Sequence, residues 1–106
     1  MTVEVRLAGP LRPYAGGAAV ALVELPPGDP ATVGRLLDRL ERQHPGLAGR
    51  VRDERGAIRR HVNVFVGAEH VRELGGLEAL VDAREPVSIL PAVSGGSGGP
   101  VGGAGR

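Results

Sequence analysis

Val33, Leu36, Leu37 and Leu40 recur at i, i+3, i+4 and i+7, and they form the clearest helical stripe in this chain. One amphipathic helix cannot cover its own apolar face, so the rest of the fold must supply a surface for it. The flanking sequence offers strands. Val3, Val5 and Leu7 alternate with Glu4 and Arg6, which is the period of a strand with one wet face.

Local signals bound each element. Thr32 is placed to cap the helix, and Pro45-Gly46 ends it. Arg35, Asp38, Arg39 and Arg42 fall on its outer side, with Asp38 and Arg42 spaced for a weak exposed pair. Between the first strand and the helix, Gly9 to Gly17 turns the chain, with Pro10, Pro13 and the Gly16-Gly17 pair. Ala19 to Leu25 then resumes as a strand, halted by Pro26-Pro27-Gly28-Asp29-Pro30. Its alternation is imperfect, since Val20 and Leu22 sit in one phase and Val23 and Leu25 in the other. The expectation is a bulge, or a strand covered on both faces.

Beyond the helix, Leu47 to Arg60 reads as polar and irregular, and His61 to Val66 as a β-branched strand. Gly67-Ala68 closes a hairpin into His70-Val71. Gly75-Gly76 and Asp82 to Glu85 are turns, and Val87 to Leu90 is the last strand. One helix among five strands predicts an α+β domain with a single mixed sheet, for which the β-grasp is the simplest arrangement. Residues 1–93 make that domain, and 94–106 a flexible Gly-rich tail. Such a tail has too little apolar surface to offset the entropy of ordering it.

The composition removes whole classes of chemistry. With 106 residues there is room for one small domain. There is no cysteine, hence no disulfide, thiolate nucleophile or cysteine metal site. All 13 basic residues are Arg, which leaves no side-chain amine for Schiff-base or isopeptide chemistry. The net charge of +1 shows no footprint for nucleic acid, and no apolar run has the length of a membrane span. With no signal-peptide layout at Met1, the expected location is cytoplasmic. His44, His61 and His70 lack ligand spacing, so no metal is assigned. Asp53-Glu54 and Glu69 read as solvated loop charge, and Arg59-Arg60 as a soluble face able to meet an acidic partner.

The block Thr32-Val33-Gly34-Arg35-Leu36-Leu37, then His61-Val62-Asn63-Val64-Phe65-Val66, then Val87-Ser88-Ile89-Leu90-Pro91-Ala92-Val93-Ser94-Gly95-Gly96 resembles the ubiquitin-like sulfur carriers of the MoaD and ThiS type. The resemblance covers residues 2 to 96, and is closest to the carriers of actinobacterial cysteine biosynthesis. It implies a β-grasp fold whose terminal glycine, Gly96, is adenylated by an activating enzyme using ATP and becomes a thiocarboxylate. That sulfur then passes to an acceptor enzyme. The chain itself binds no cofactor and has no catalytic residue, acting as a protein co-substrate.

A carboxylate that must enter another enzyme needs a thin stalk, and glycine lets both walls of a channel approach the backbone. Ser94 and Gly95 suit that stalk, which reaches at most about 17 Å from Pro91 to Gly96 when extended. Family members usually stop at the second glycine, whereas here Ser97 to Arg106 follow. The resemblance therefore implies cleavage between Gly96 and Ser97 by a JAMM-type metalloprotease, with Gly98-Gly99 and Gly102-Gly103 as other processing points. The alternatives are a molybdopterin-synthase small subunit and a β-grasp interaction module whose tail is an inert linker.

Overall fold

The structure, a computed structural model, describes residues 1–28 and 30–91. Five strands, β1 (Thr2–Leu7), β2 (Val20–Glu24), β3 (Val62–Val66), β4 (Glu69–His70) and β5 (Val87–Pro91), form one sheet in the order β2-β1-β5-β3-β4. The helix α1 (Val33–Gln43) covers one face. β1 pairs antiparallel with β2 and parallel with β5, and β5 pairs antiparallel with β3. This mixed sheet under one helix is the expected α+β arrangement, a β-grasp.

The predicted periodicities explain the core. Val3, Val5 and Leu7 of β1, Val62, Val64 and Val66 of β3, and Val87 and Ile89 of β5 are buried beneath α1. From above, Val33, Leu36, Leu37 and Leu40 meet them with no exposed surface. Each such leucine gains roughly 2 kcal/mol from burial alone. Thr32 caps α1 by accepting the Arg35 N–H at 3.2 Å, and Val33 N–H donates to Ala79 O at 2.8 Å. Because Val81 N–H also donates to Ala31 O at 2.8 Å, the 76–81 loop is strapped to the start of the helix.

Several expectations are corrected. β2 has neither a bulge nor a cover on both faces, since its register with β1 is regular from Thr2↔Glu24 to Arg6↔Val20. Ala21 and Val23 face the core, while Val20 and Leu22 are exposed at 47% and 64% on this edge strand. Their apolar character is therefore a surface property. Gly9–Ala15 is a 3-10 helix rather than a plain turn, ended by Gly16 at φ 66°. The hairpin after β3 forms with Phe65↔His70 and Val66↔Glu69 in register, but Val71 already belongs to the next 3-10 helix. His61 precedes β3, and the strand starts at Val62.

Segment 47–60 is not merely polar. Leu47 and Val51 are fully buried, and the segment is fastened to α1 by Arg52. Arg52 donates through Nε and Nη2 to both Glu41 oxygens at 3.0 and 2.9 Å, and through Nη2 to Asp38 Oδ1 at 2.7 Å. Asp38 thus pairs with Arg52, not with Arg42, because a partly buried guanidinium between two carboxylates outcompetes a solvated i,i+4 contact. The Glu41 hydrogen bonds hold the Arg52 guanidinium well above its usual range, while partial burial opposes them.

Candidate functional site

The end of β5 is built into the middle of the sheet. Val5↔Val87, Arg6↔Ser88 and Leu7↔Ile89 fix it on one side, and Val64↔Ile89, Asn63↔Leu90 and Val62↔Pro91 fix it on the other. Ala8 N–H donates to Ile89 O at 3.1 Å, extending the parallel contact beyond β1. A strand held along both edges is a rigid base for the sequence that follows it. The predicted site residues Ser94, Gly95, Gly96 and Ser97 lie outside the described residues, so the geometry on view is that of their base.

The chain that leads into β3, at the Pro91 end of the sheet, is basic. Before β3, Val62 N–H donates to Arg59 O at 3.0 Å, closing a turn that carries Arg59, Arg60 and His61, all exposed. These three and Asp53 line a cleft of about 200 Å³. Asp53 Oδ1 is engaged by its own loop, accepting the N–H groups of Arg55 and Ala57 at 2.9 and 3.1 Å. On the β1 side, Arg12 donates through Nε to Leu7 O at 3.0 Å, which sets its guanidinium by the end of β1. Arg59 donates through Nη1 to Gly49 O at 3.2 Å. Among the described residues no carboxylate pairs with Arg12, Arg59 or Arg60.

Sequence reasoning noticed Arg59-Arg60 but not Arg12, which is distant in the chain and joins them only through the parallel β1·β5 pair. The histidines occupy three unrelated places. His44 is the C-cap residue of α1, and His61 stands in the turn before β3. His70 Nδ1 accepts the Arg72 N–H at 3.0 Å, so Nε2 carries the hydrogen that Asn63 Oδ1 accepts at 3.1 Å. The same imidazole packs edge-on against Phe65, 5.1 Å between ring centres. Asp53 and Glu69 share no hydrogen bond, Asp53 closing its loop and Glu69 opposing Val66 in the hairpin. Among the described residues no group of three His, Cys, Asp or Glu is placed to hold a metal, and no helix is long and apolar enough to cross a membrane.

A β-grasp body that holds its last strand centrally, with the Gly-Gly sequence a few residues further on, defines the class of ubiquitin-like carriers. The chain belongs to the ThiS family, whose model matches residues 5–96. It is 37% identical over 98 residues to the sulfur carrier protein CysO of Mycobacterium tuberculosis, covering 91% of this chain and 100% of that protein. It is 41% identical over 68 residues to small archaeal modifier protein 3 of Haloferax volcanii, covering 64% of this chain and 73% of the modifier. In three dimensions it resembles a chain of the Amycolatopsis orientalis BexX/CysO complex, with a TM-score of 0.77 and 37% identity over 89% of this chain and 99% of that one. These relatives are a sulfur carrier and a small archaeal modifier.

Proposed function

We infer that this chain delivers sulfur as a thiocarboxylate on Gly96. The observation that carries the reading is where the family match stops, at residue 96, the second glycine of Ser94-Gly95-Gly96. A JAMM-type metalloprotease removes Ser97 to Arg106 and frees the Gly96 carboxylate. An activating enzyme joins that carboxylate to the AMP moiety of ATP, releasing pyrophosphate. A sulfide equivalent then displaces AMP, leaving a C-terminal thiocarboxylate. An acceptor enzyme takes the sulfur into cysteine or another sulfur-containing metabolite, and water cleaves the bond from sulfur to the Gly96 carbonyl carbon, regenerating the carboxylate. The body supplies no catalytic group and binds no cofactor, and the sulfur needs no cysteine because it sits on the main-chain carbonyl carbon.

The test is an intact-mass measurement on the purified chain after incubation with lysate of its own organism, ATP and a sulfide source. Loss of Ser97 to Arg106, followed by an oxygen-to-sulfur increment that a thiol-alkylating reagent modifies, is the expected result. An unchanged mass, in a lysate that thiolates a chain ending at Gly96, would leave the full-length chain unprocessed and refute cleavage at that bond. The likeness to an archaeal modifier supports a second reading, in which Gly96 is joined to amines of other proteins. The same measurement separates the two, since conjugation yields higher-mass adducts instead of the sulfur increment.

A further inference from the structure

Three arginines that the chain separates widely lie at the end of the sheet where β5 finishes. β5 runs between β1 and β3, so Pro91 emerges with Val62 on one flank and the chain following Leu7 on the other. The turn before Val62 carries Arg59, Arg60 and His61, and the 3-10 helix after β1 carries Arg12 and touches β5. The three guanidiniums have no carboxylate partner among the described residues, and two of them are anchored only to backbone carbonyls, of Leu7 and Gly49. Some charged side chains elsewhere in the body are paired, as in Glu4–Arg6, Arg52–Glu41 and Asp82–Arg84.

We propose that Arg12, Arg59 and Arg60 form a positive collar that docks on an acidic protein surface rimming the channel of the activating enzyme that receives Gly96. The proposal rests on the sulfur-carrier reading above and names the chemistry of one partner face. Its physical logic is that of steering. A thin stalk finds a narrow channel slowly unless the body is first oriented about it, and unpaired charge around the base provides orientation as well as a faster encounter. Arginine suits the role because its planar fork meets carboxylates in pairs and never loses its charge. Asp53 and His61 share the cleft with Arg59 and Arg60. Asp53 accepts N–H groups of its own loop, and its one negative charge leaves the three guanidiniums in excess, so the collar is net positive.

The test uses the chain ending at Gly96, whose whole described core lies within residues 3–89. It measures ATP–pyrophosphate exchange with the adenylating enzyme of the source organism over a range of salt. Arg60→Glu is the primary variant, since that side chain makes no hydrogen bond or ion pair among the described residues, and thermal melting checks its fold. Charge reversal at Arg60 together with Arg12 is expected to lower kcat/KM by about tenfold through KM, leaving kcat within about twofold of wild type. The wild type is expected to lose kcat/KM as salt rises, this dependence to flatten in the variant, and Arg12→Lys with Arg60→Lys to restore most of the loss.

Unchanged kcat/KM and unchanged salt dependence in a folded charge-reversal variant would overturn the collar while leaving the carrier reading intact. Failure of the wild-type chain itself to support exchange, with an enzyme that adenylates another carrier of the organism, would overturn both.

Discussion

Pro91, the last residue of β5, lies directly opposite Val62, the first residue of β3, and this pairing fixes the last described residue before the Gly-Gly sequence. Everything proposed for the protein depends on that base being rigid and central. Val62 is buried, and beside it Val64 and Ile89 lie opposite each other with no exposed surface, so the base cannot shift without opening the core.

Removing Gly95 and Gly96 is expected to abolish sulfur loading without altering the melting temperature, because all the described core lies between Val3 and Ile89. Intact mass after the loading reaction and a thermal melt read the two effects separately. Retained activity in the deletion would move the function to the sheet surface.

Leu37→Ala should cost about 2–5 kcal/mol, the range for a fully buried leucine whose neighbours only partly collapse. Urea denaturation measures it. Leu22→Ala, on the exposed side of β2, should cost well under 1 kcal/mol, so the pair tests which phase of the strand faces the core.

Gly46 is enclosed by the 3-10 helix Gly9–Ala15, where an added Cβ would come within 2.5 Å of Tyr14 O. Backbone cannot rotate away as a side chain can, so Gly46→Ala is expected to destabilise by about 1–3 kcal/mol. Gly9→Ala meets open space and serves as the control, with a change within about 0.5 kcal/mol. The Arg50 guanidinium stacked 4.2 Å over the Tyr14 ring should also be displaced in the Gly46 variant, and NMR shifts of that ring report it.

Arg52→Ala leaves Glu41, only 18% exposed, without its bidentate partner, and should cost about 1–3 kcal/mol. Asp38→Ala removes the outer contact of the same guanidinium, whose carboxylate is 57% exposed, and should cost less than about 1 kcal/mol. Chemical denaturation of both variants orders the contributions. Equal losses would contradict the view that Glu41 is the main anchor.

Two carboxylates should shape the acid limb of stability. Glu24 is held below its ordinary value of 4.5 by the Thr2 hydroxyl and then the Met1 ammonium, and Asp82 is lowered from 3.8 to about 2 by Arg84. A carboxylate with a depressed folded pKa adds stability above its unfolded pKa, and that stability disappears as pH falls through the folded value. Glu24→Gln should therefore flatten the loss of stability that begins as pH drops through 4.5. Asp82→Asn should act at lower pH, between 3.8 and about 2. Melting temperature against pH for each variant checks the order. Both groups are exposed, so their effects on stability should be small and weaken with salt.

The sequence by itself determined the helix and the inner faces of β1, β3 and β5, because helical and strand periods are local. Val33 to Leu40 could bury one stripe only as a helix, and Val3 to Leu7 one face only as a strand. It also determined the missing chemistry, since a chain without cysteine or lysine can offer neither thiol nor side-chain amine. Val20 and Leu22 misled the reading of β2 because apolar character does not reveal whether a face is covered. Leu47 and Val51 were passed over because two apolar residues among charges make no period. Only the tertiary structure decided that β5 lies between β1 and β3, that Arg52 takes Asp38 from Arg42, and that Arg12 lies at the same end of the sheet as Arg59 and Arg60. Those relations are set by strand order and register, which join residues far apart in the chain and are chosen by the packing of the whole core.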